Sequence, residues 1–125
     1  MTDINSREDI ERLVTLFYKS ATKHPDIKHF FTEVVQLNFE KHIPVICDFW
    51  ESVLFKKVVF KGNPMVKHIV LNRKSPMIDL HFKTWLSLWQ FSVDDLFIGT
   101  LAEEAKYKAT SIAALMQHKI KSDLF

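Results

Sequence analysis

Only two glycines occur in 125 residues, and that scarcity removes most β architectures at once. Tight hairpins need residues at positive φ, which glycine supplies at little cost, so a many-stranded sheet would lack its turns. Four prolines punctuate long stretches in which apolar residues recur every three or four positions. That spacing reads as all-α. The length is that of one domain, residues 1–125, and a 47% hydrophobic content suffices for a substantial core.

Seventeen basic against 15 acidic residues leave a net charge of +2, so no strong overall field draws the chain to nucleic acid or to a membrane. The single cysteine, Cys47, rules out an intramolecular disulfide and suits a reducing cytosol. The first eleven residues are polar, and no apolar run approaches membrane-spanning length. A cytoplasmic monomer is the expectation.

Four long helical patterns and two short ones account for nearly the whole chain. The first opens at Ser6 with Asp9 three residues on, like a capping box, and carries the stripe Ile10, Leu13, Val14, Phe17, Tyr18 and Ala21. A short segment begins after Pro25 and closes on Phe30 and Phe31. The second long helix spans about 39–55, with His42, Val45, Ile46, Phe49, Trp50, Val53 and Leu54 on one face. Pro44 should kink or restart it. Asn63-Pro64 then begins a short helix to about Val70, in which Pro64, Met65, His68 and Leu71 share a face. Ser75-Pro76 repeats the signal for a third long helix with Ile78, His81, Phe82, Trp85, Leu86 and Trp89. After Gly99 a last helix runs to about Ile120 on Leu101, Ala105, Ala109, Ile112, Ala113, Met116 and Ile120.

Two histidines on apolar faces require explanation, because a buried imidazole must satisfy two ring nitrogens. Each can do so on a nearby carbonyl, and one reading of the chain is a cofactor-free helical interaction module whose histidines are simply satisfied in the core. Zinc held by Cys47, His42 or His81 lacks any supporting ligand spacing. A sharper reading takes His68, His42, Tyr18 and Trp85 together, since they come from four helices and each lies on a buried face. A flat, mainly apolar cofactor with one metal coordination position, such as haem, would use all four.

Several runs carry a family resemblance. His42-Ile43-Pro44-Val45 and Cys47-Asp48-Phe49-Trp50-Glu51-Ser52-Val53-Leu54 resemble the distal helix of the group III truncated haemoglobins. Lys61-Gly62-Asn63-Pro64-Met65-Val66-Lys67-His68 resembles their loop and proximal helix. His81-Phe82, Trp85-Leu86, Val93-Asp94-Asp95-Leu96-Phe97-Ile98-Gly99 and the stretch from Ala102 to Met116 continue the likeness. The resemblance implies a two-over-two helical sandwich around one b-type haem. It places His68 at the proximal iron ligand, His42, Tyr18 and Trp85 on the distal side, and Phe31 against the porphyrin. Ile46, one turn after His42, and Met65 should also face the haem. Three departures stand out: the run Leu54 to Phe60 lacks the glycine expected after the distal helix, Phe60 stands where tyrosine is common, and Trp89 replaces a usual phenylalanine.

The same resemblance implies a protein that binds O₂, NO or CO at a five- or six-coordinate iron. Donors on the distal side would retain O₂ too long for bulk transport and favour NO dioxygenase-like or peroxidase-like chemistry. That chemistry would need a separate reductase, because nothing in the chain resembles a flavin or nicotinamide site. His42 would either ligate the iron itself or gate the pocket, and Lys67 and Arg73 are candidate partners for the propionates.

Overall fold

The first helix, α1 (Arg7–Ala21), begins where the sequence places its cap, with the Asp9 amide donating to Ser6 Oγ at 3.2 Å. The return arm is displaced by one residue: the Asp9 carboxylate accepts from the Asn5 amide at 3.0 Å rather than from Ser6. In this computed structural model the described residues are 1–34, 37–60, 62 and 64–123, with the side chains of 64–66 and 123 outside the description. Ile10, Leu13, Val14, Phe17 and Ala21 are buried as the stripe requires, and Tyr18 is half-buried.

A single π-helical turn, Phe30–Val34, precedes α2 (Phe39–Leu54). Asn38 caps α2 by accepting from the Glu40 amide at 3.1 Å. The helix is continuous through Pro44 and does not restart there. Proline removes the bond to the Glu40 carbonyl, but Glu40 is exposed, so water replaces it at little cost. The expected apolar face of α2 also divides in two. Cys47, Trp50 and Leu54 are buried, while His42, Ile46, Phe49 and Val53 are only half-buried and Val45 is exposed.

α3 (Pro64–Lys74) starts at Pro64 as the sequence predicts; Asn63, the expected cap, lies outside the described residues. It continues to Lys74, a turn beyond Val70. Ser75 closes it, donating its amide to the Leu71 carbonyl at 2.9 Å, instead of opening the next helix. Buried Asn72 accepts from the Met77 amide at 2.8 Å and holds the connector extended, so α4 (Asp79–Leu96) begins three residues later than Ser75-Pro76 implies. Ile78, placed on the buried stripe by spacing, is an exposed flanking residue. Val93-Asp94-Asp95 lies inside α4, and α5 (Thr100–Asp123) comes after Gly99.

These helices form two antiparallel pairs. Arg7 at the start of α1 meets Asp48 and Glu51 late in α2, and Tyr18 meets His42 at the other end. In α4 and α5, Asp94 pairs with Lys106 and Asp79 with Gln117. α1 lies across α4, which stacks one pair over the other, and no strand occurs among the described residues. At the centre Trp50 stacks on Trp89 with ring centroids 4.5 Å apart, and Trp89 Nε1 donates to the Ala105 carbonyl at 3.1 Å. Ala102, Ala105, Ala109 and Ala113 present almost no side-chain bulk and let α5 come close.

Two local devices replace turn chemistry that the sequence lacks. Asp3 caps α5 from outside, its carboxylate accepting from the Leu101 and Ala102 amides at 2.9 and 2.8 Å. Gly99 is required there: its φ is +145°, and a Cβ would fall 2.4 Å from Asp3 Cγ. After α2, Lys56 itself takes the left-handed conformation, φ +55°, in the region where the family resemblance leads one to expect a glycine. Ser52 Oγ pins that loop by accepting from the Val59 and Phe60 amides at 3.1 and 2.8 Å. Those bonds offset the cost of about 1–2 kcal/mol for a side chain in that region.

Candidate functional site

Antiparallel pairing brings the end of α1 against the start of α2, which sets Tyr18 beside His42. The Tyr18 hydroxyl lies 2.8 Å from His42 Nε2. Phe17, Phe31 and Phe39 surround the tyrosine ring edge-to-face at centroid distances of 5.1, 5.8 and 5.7 Å. Burial is the main cause that pushes the Tyr18 phenol up from its usual range, with the negative charge of an ionised Cys47 adding to it. The hydroxyl therefore keeps its proton. His42 is pulled down, first by burial and then by the positive charges of Lys67 and His68. A neutral imidazole results, and its tautomer decides the pair's direction. With Nδ1 protonated, Tyr18 donates to Nε2; with Nε2 protonated, Tyr18 accepts and its own O–H turns elsewhere.

Lys67 and His68, on α3, thus lie within electrostatic reach of His42 on α2. His68 is half-buried and Lys67 exposed. α2 rests on α1 and more lightly on α5, whereas α3 rests on α5, and no comparable packing joins α2 to α3 among the described residues. Ile46, Phe49 and Val53 are half-buried on the side of α2 that also carries His42. Leu71 of α3 and Trp85 and Leu86 of α4 are half-buried against the same core. Trp85 packs edge-on against Phe17 at 6.0 Å, and its indole N–H has no hydrogen-bond partner among the described residues.

The structure joins Tyr18 to His42 and to Phe31, reaches Trp85 through Phe17, and leaves His68 within electrostatic reach of His42. Ile46 stands one turn beyond His42, and the Met65 side chain lies outside the described residues. Phe39 is a site neighbour that the sequence reading missed. It touches Tyr18 and lies 6.5 Å from the His42 ring, and its signal was the three-residue spacing that puts it on the His42 side of the helix.

Zinc ligation by Cys47, His42 and His81 finds no support in this arrangement. Cys47 is fully buried, and its thiol is pushed up to about 11, chiefly by burial, with Glu11, Asp48 and Glu51 adding to it against the pull of Arg7. His81 lies instead against Phe30 and His29. No group of three or more histidine, cysteine or acidic side chains among the described residues is placed to hold a metal. What the site does offer is an imidazole on each of two helices that do not pack together, half-buried apolar walls, one unengaged N–H and a lysine at the edge. That donor set fits a flat apolar group with a single nitrogen-ligated metal and an anionic rim.

No helix among the described residues is long and apolar enough to cross a membrane, and no protein-family model matches the chain. It is 25% identical over 118 residues, 92% of its own length and 91% of the relative's, to the group 3 truncated haemoglobin ctb of Campylobacter jejuni. The crystal structure of the group III truncated haemoglobin from Campylobacter jejuni superposes with a TM-score of 0.83 at 23% identity, covering 96% of this chain and 95% of that one. Sequence likeness and a common truncated-globin fold along nearly the full length make this chain similar to the group III truncated haemoglobins.

Proposed function

We propose that the chain binds haem b and holds diatomic ligands such as O₂, NO or CO at an iron ligated by His68. The observation that supports this reading is the Tyr18–His42 pair at 2.8 Å, within electrostatic reach of His68, together with a Trp85 N–H that has no partner among the described residues. Truncated haemoglobin relatives support the cofactor class. The b type is argued from thiol chemistry: the single cysteine is buried and no Cys-x-x-Cys-His sequence exists for covalent attachment. When bound, the haem supplies the iron and its redox chemistry; the chain supplies everything that selects the outcome.

His68 would hold the metal from α3. Phe31, Ile46 and the body of Trp85 would offer apolar contact to the ring, and Lys67 would suit its carboxylates. Tyr18 and Trp85 would supply hydrogen-bond donors to a ligand that gains negative charge, and His42 would add a third donor or withdraw as a gate. A hydrogen bond to a charged group is worth about 1.5–3 kcal/mol. Two of them slow ligand escape by on the order of 10²–10⁴, at tenfold per ~1.4 kcal/mol. Retention of that size is a poor property in a carrier and a useful one for chemistry on the ligand, so NO oxidation or peroxide activation is the favoured duty.

Titration of the purified chain with haemin tests the cofactor. One equivalent should give a sharp Soret band, and His68→Ala should change the axial-ligand spectrum while keeping the helical circular dichroism. A folded His68→Ala protein with the parent spectrum refutes the ligand assignment. Mixing the oxygenated ferrous protein with NO then tests the duty, with rapid stoichiometric nitrate expected.

A further inference from the structure

Charge is distributed very unevenly along this chain. Between Glu51 and Asp79 stand six cations, Lys56, Lys57, Lys61, Lys67, Arg73 and Lys74, and not one carboxylate. The remaining eleven of the 17 cations face all 15 carboxylates elsewhere, so a nearly neutral protein hides one strongly positive segment. Apart from Lys61, which lies outside the described residues, these cations follow α2 at Lys56 and Lys57 or lie on α3, the helix that carries His68. Lys56, Lys57, Lys67, Arg73 and Lys74 are all exposed. Lys57 reaches Glu51 at 3.7 Å, but Glu51 is already engaged by Arg7 at 2.7 Å. Lys56, Lys67 and Lys74 have no carboxylate partner among the described residues. Apolar side chains are exposed among these cations: Val58 at 93%, with Val59 and Val70.

We infer that this face docks an acidic one-electron carrier protein, the donor that reduces the iron; the inference rests on the haem reading. Small apolar contacts ringed by charge of one sign are what a transient, electrostatically steered partner needs. The location suits the task, because α3 is about 16 Å long and holds both the lysines and the iron ligand. A nucleic acid would call for aromatic side chains to stack on bases, and a membrane surface for exposed tryptophan, phenylalanine or leucine. The exposed apolar residues here are valines. In the transfer, an anionic flavin hydroquinone loses one electron and becomes the neutral semiquinone, while ferric iron becomes ferrous; no proton crosses.

Flavodoxin, an acidic flavin carrier, is the probe. Titration into the full chain, tracked by flavin fluorescence, should show binding that weakens as salt rises. Lys56→Glu/Lys74→Glu should weaken it about tenfold or more, whereas Lys108→Glu/Lys119→Glu, with the same change of net charge on exposed α5 positions, should change it less than twofold. Reduction of the haemin-loaded protein by flavodoxin hydroquinone should fall in parallel, with dithionite reduction and the Soret band unaltered. Equal weakening by both double variants overturns the proposal, as does binding of anionic vesicles or duplex DNA through this face in place of flavodoxin. Absence of a Soret band with haemin overturns the haem reading and the donor role with it, and is seen separately from the flavin titration.

Discussion

Replacing Arg7 by alanine should cost about 2–3 kcal/mol of stability while leaving ligand chemistry alone. Arg7 Nη1 lies 2.7 Å from both Asp48 Oδ1 and Glu51 Oε2, and Nη2 lies 3.2 Å from the Pro44 carbonyl. An exposed ion pair contributes only about 0.2–1 kcal/mol. Here the guanidinium side chain is 28% exposed and Glu51 only 14%, so the Glu51 bond belongs nearer the 1.5–3 kcal/mol of a shielded charge-assisted bond. Asp48, at 35%, adds an amount near the lower range. Lys57, 3.7 Å from Glu51, recovers part of the loss, which keeps the sum at about 2–3 kcal/mol. In a domain of this length that is a fall of about 6–12 °C in Tm.

Urea unfolding of the cofactor-free chain, monitored by tryptophan fluorescence, measures the loss. A cycle with Glu51→Gln should show a coupling of about 1 kcal/mol or more that survives high salt, because partly buried pairs are weakly screened. The Soret band should be unchanged, since Arg7 sits at the opposite end of the α1–α2 pair from Tyr18 and His42. A loss below about 0.5 kcal/mol, or zero coupling, would show that helix packing alone sets the α1–α2 register.

Asp3 offers a pH test. Burial pushes its carboxyl up, but amide bonds from Leu101, Ala102, Ile4 and Thr100 outweigh it and hold the group below its ordinary 3.8. A depressed acid stabilises the fold above the unfolded-state value and loses that contribution as pH falls through the folded value. Asp3→Ala should therefore cost about 1 kcal/mol at pH 7 and progressively less below pH 4; an equal deficit at pH 3 and pH 7 would rule out the charged cap. At the ligand site, Trp85→Leu and Tyr18→Phe should each speed O₂ dissociation about tenfold or more. Unchanged rates would remove those donors from the account.

Helix content, the α1 stripe and the alanine face of α5 were legible in the chain because they depend on local periodicity, which one helix expresses by itself. Tyr18, His42 and Trp85 also stand out in the chain as polar aromatic groups on apolar faces, whereas Phe31 is singled out only by the family resemblance. Punctuation was less reliable. Ser75-Pro76 looks like a helix start, yet the Asn72 side chain binds the Met77 amide and turns that signal into the close of the preceding helix. The π turn at Phe30–Val34 has no sequence signal of its own.

Periodicity names a face but not its neighbour. Along α2 one apolar stripe became two, because Cys47, Trp50 and Leu54 sink into the core while His42, Ile46 and Phe49 stay half-buried, His42 against Tyr18 of α1. Contacts that join distant segments, Arg7 to Glu51, Asp3 to the start of α5 and Tyr18 to His42, depend on how helices cross, and crossing is settled by the packing of all five at once. The identity of the chemical groups was therefore written in the chain, while their meeting was decided by tertiary packing, since a hydrogen bond of 2.8 Å between residues 18 and 42 exists only once both helices have found their places.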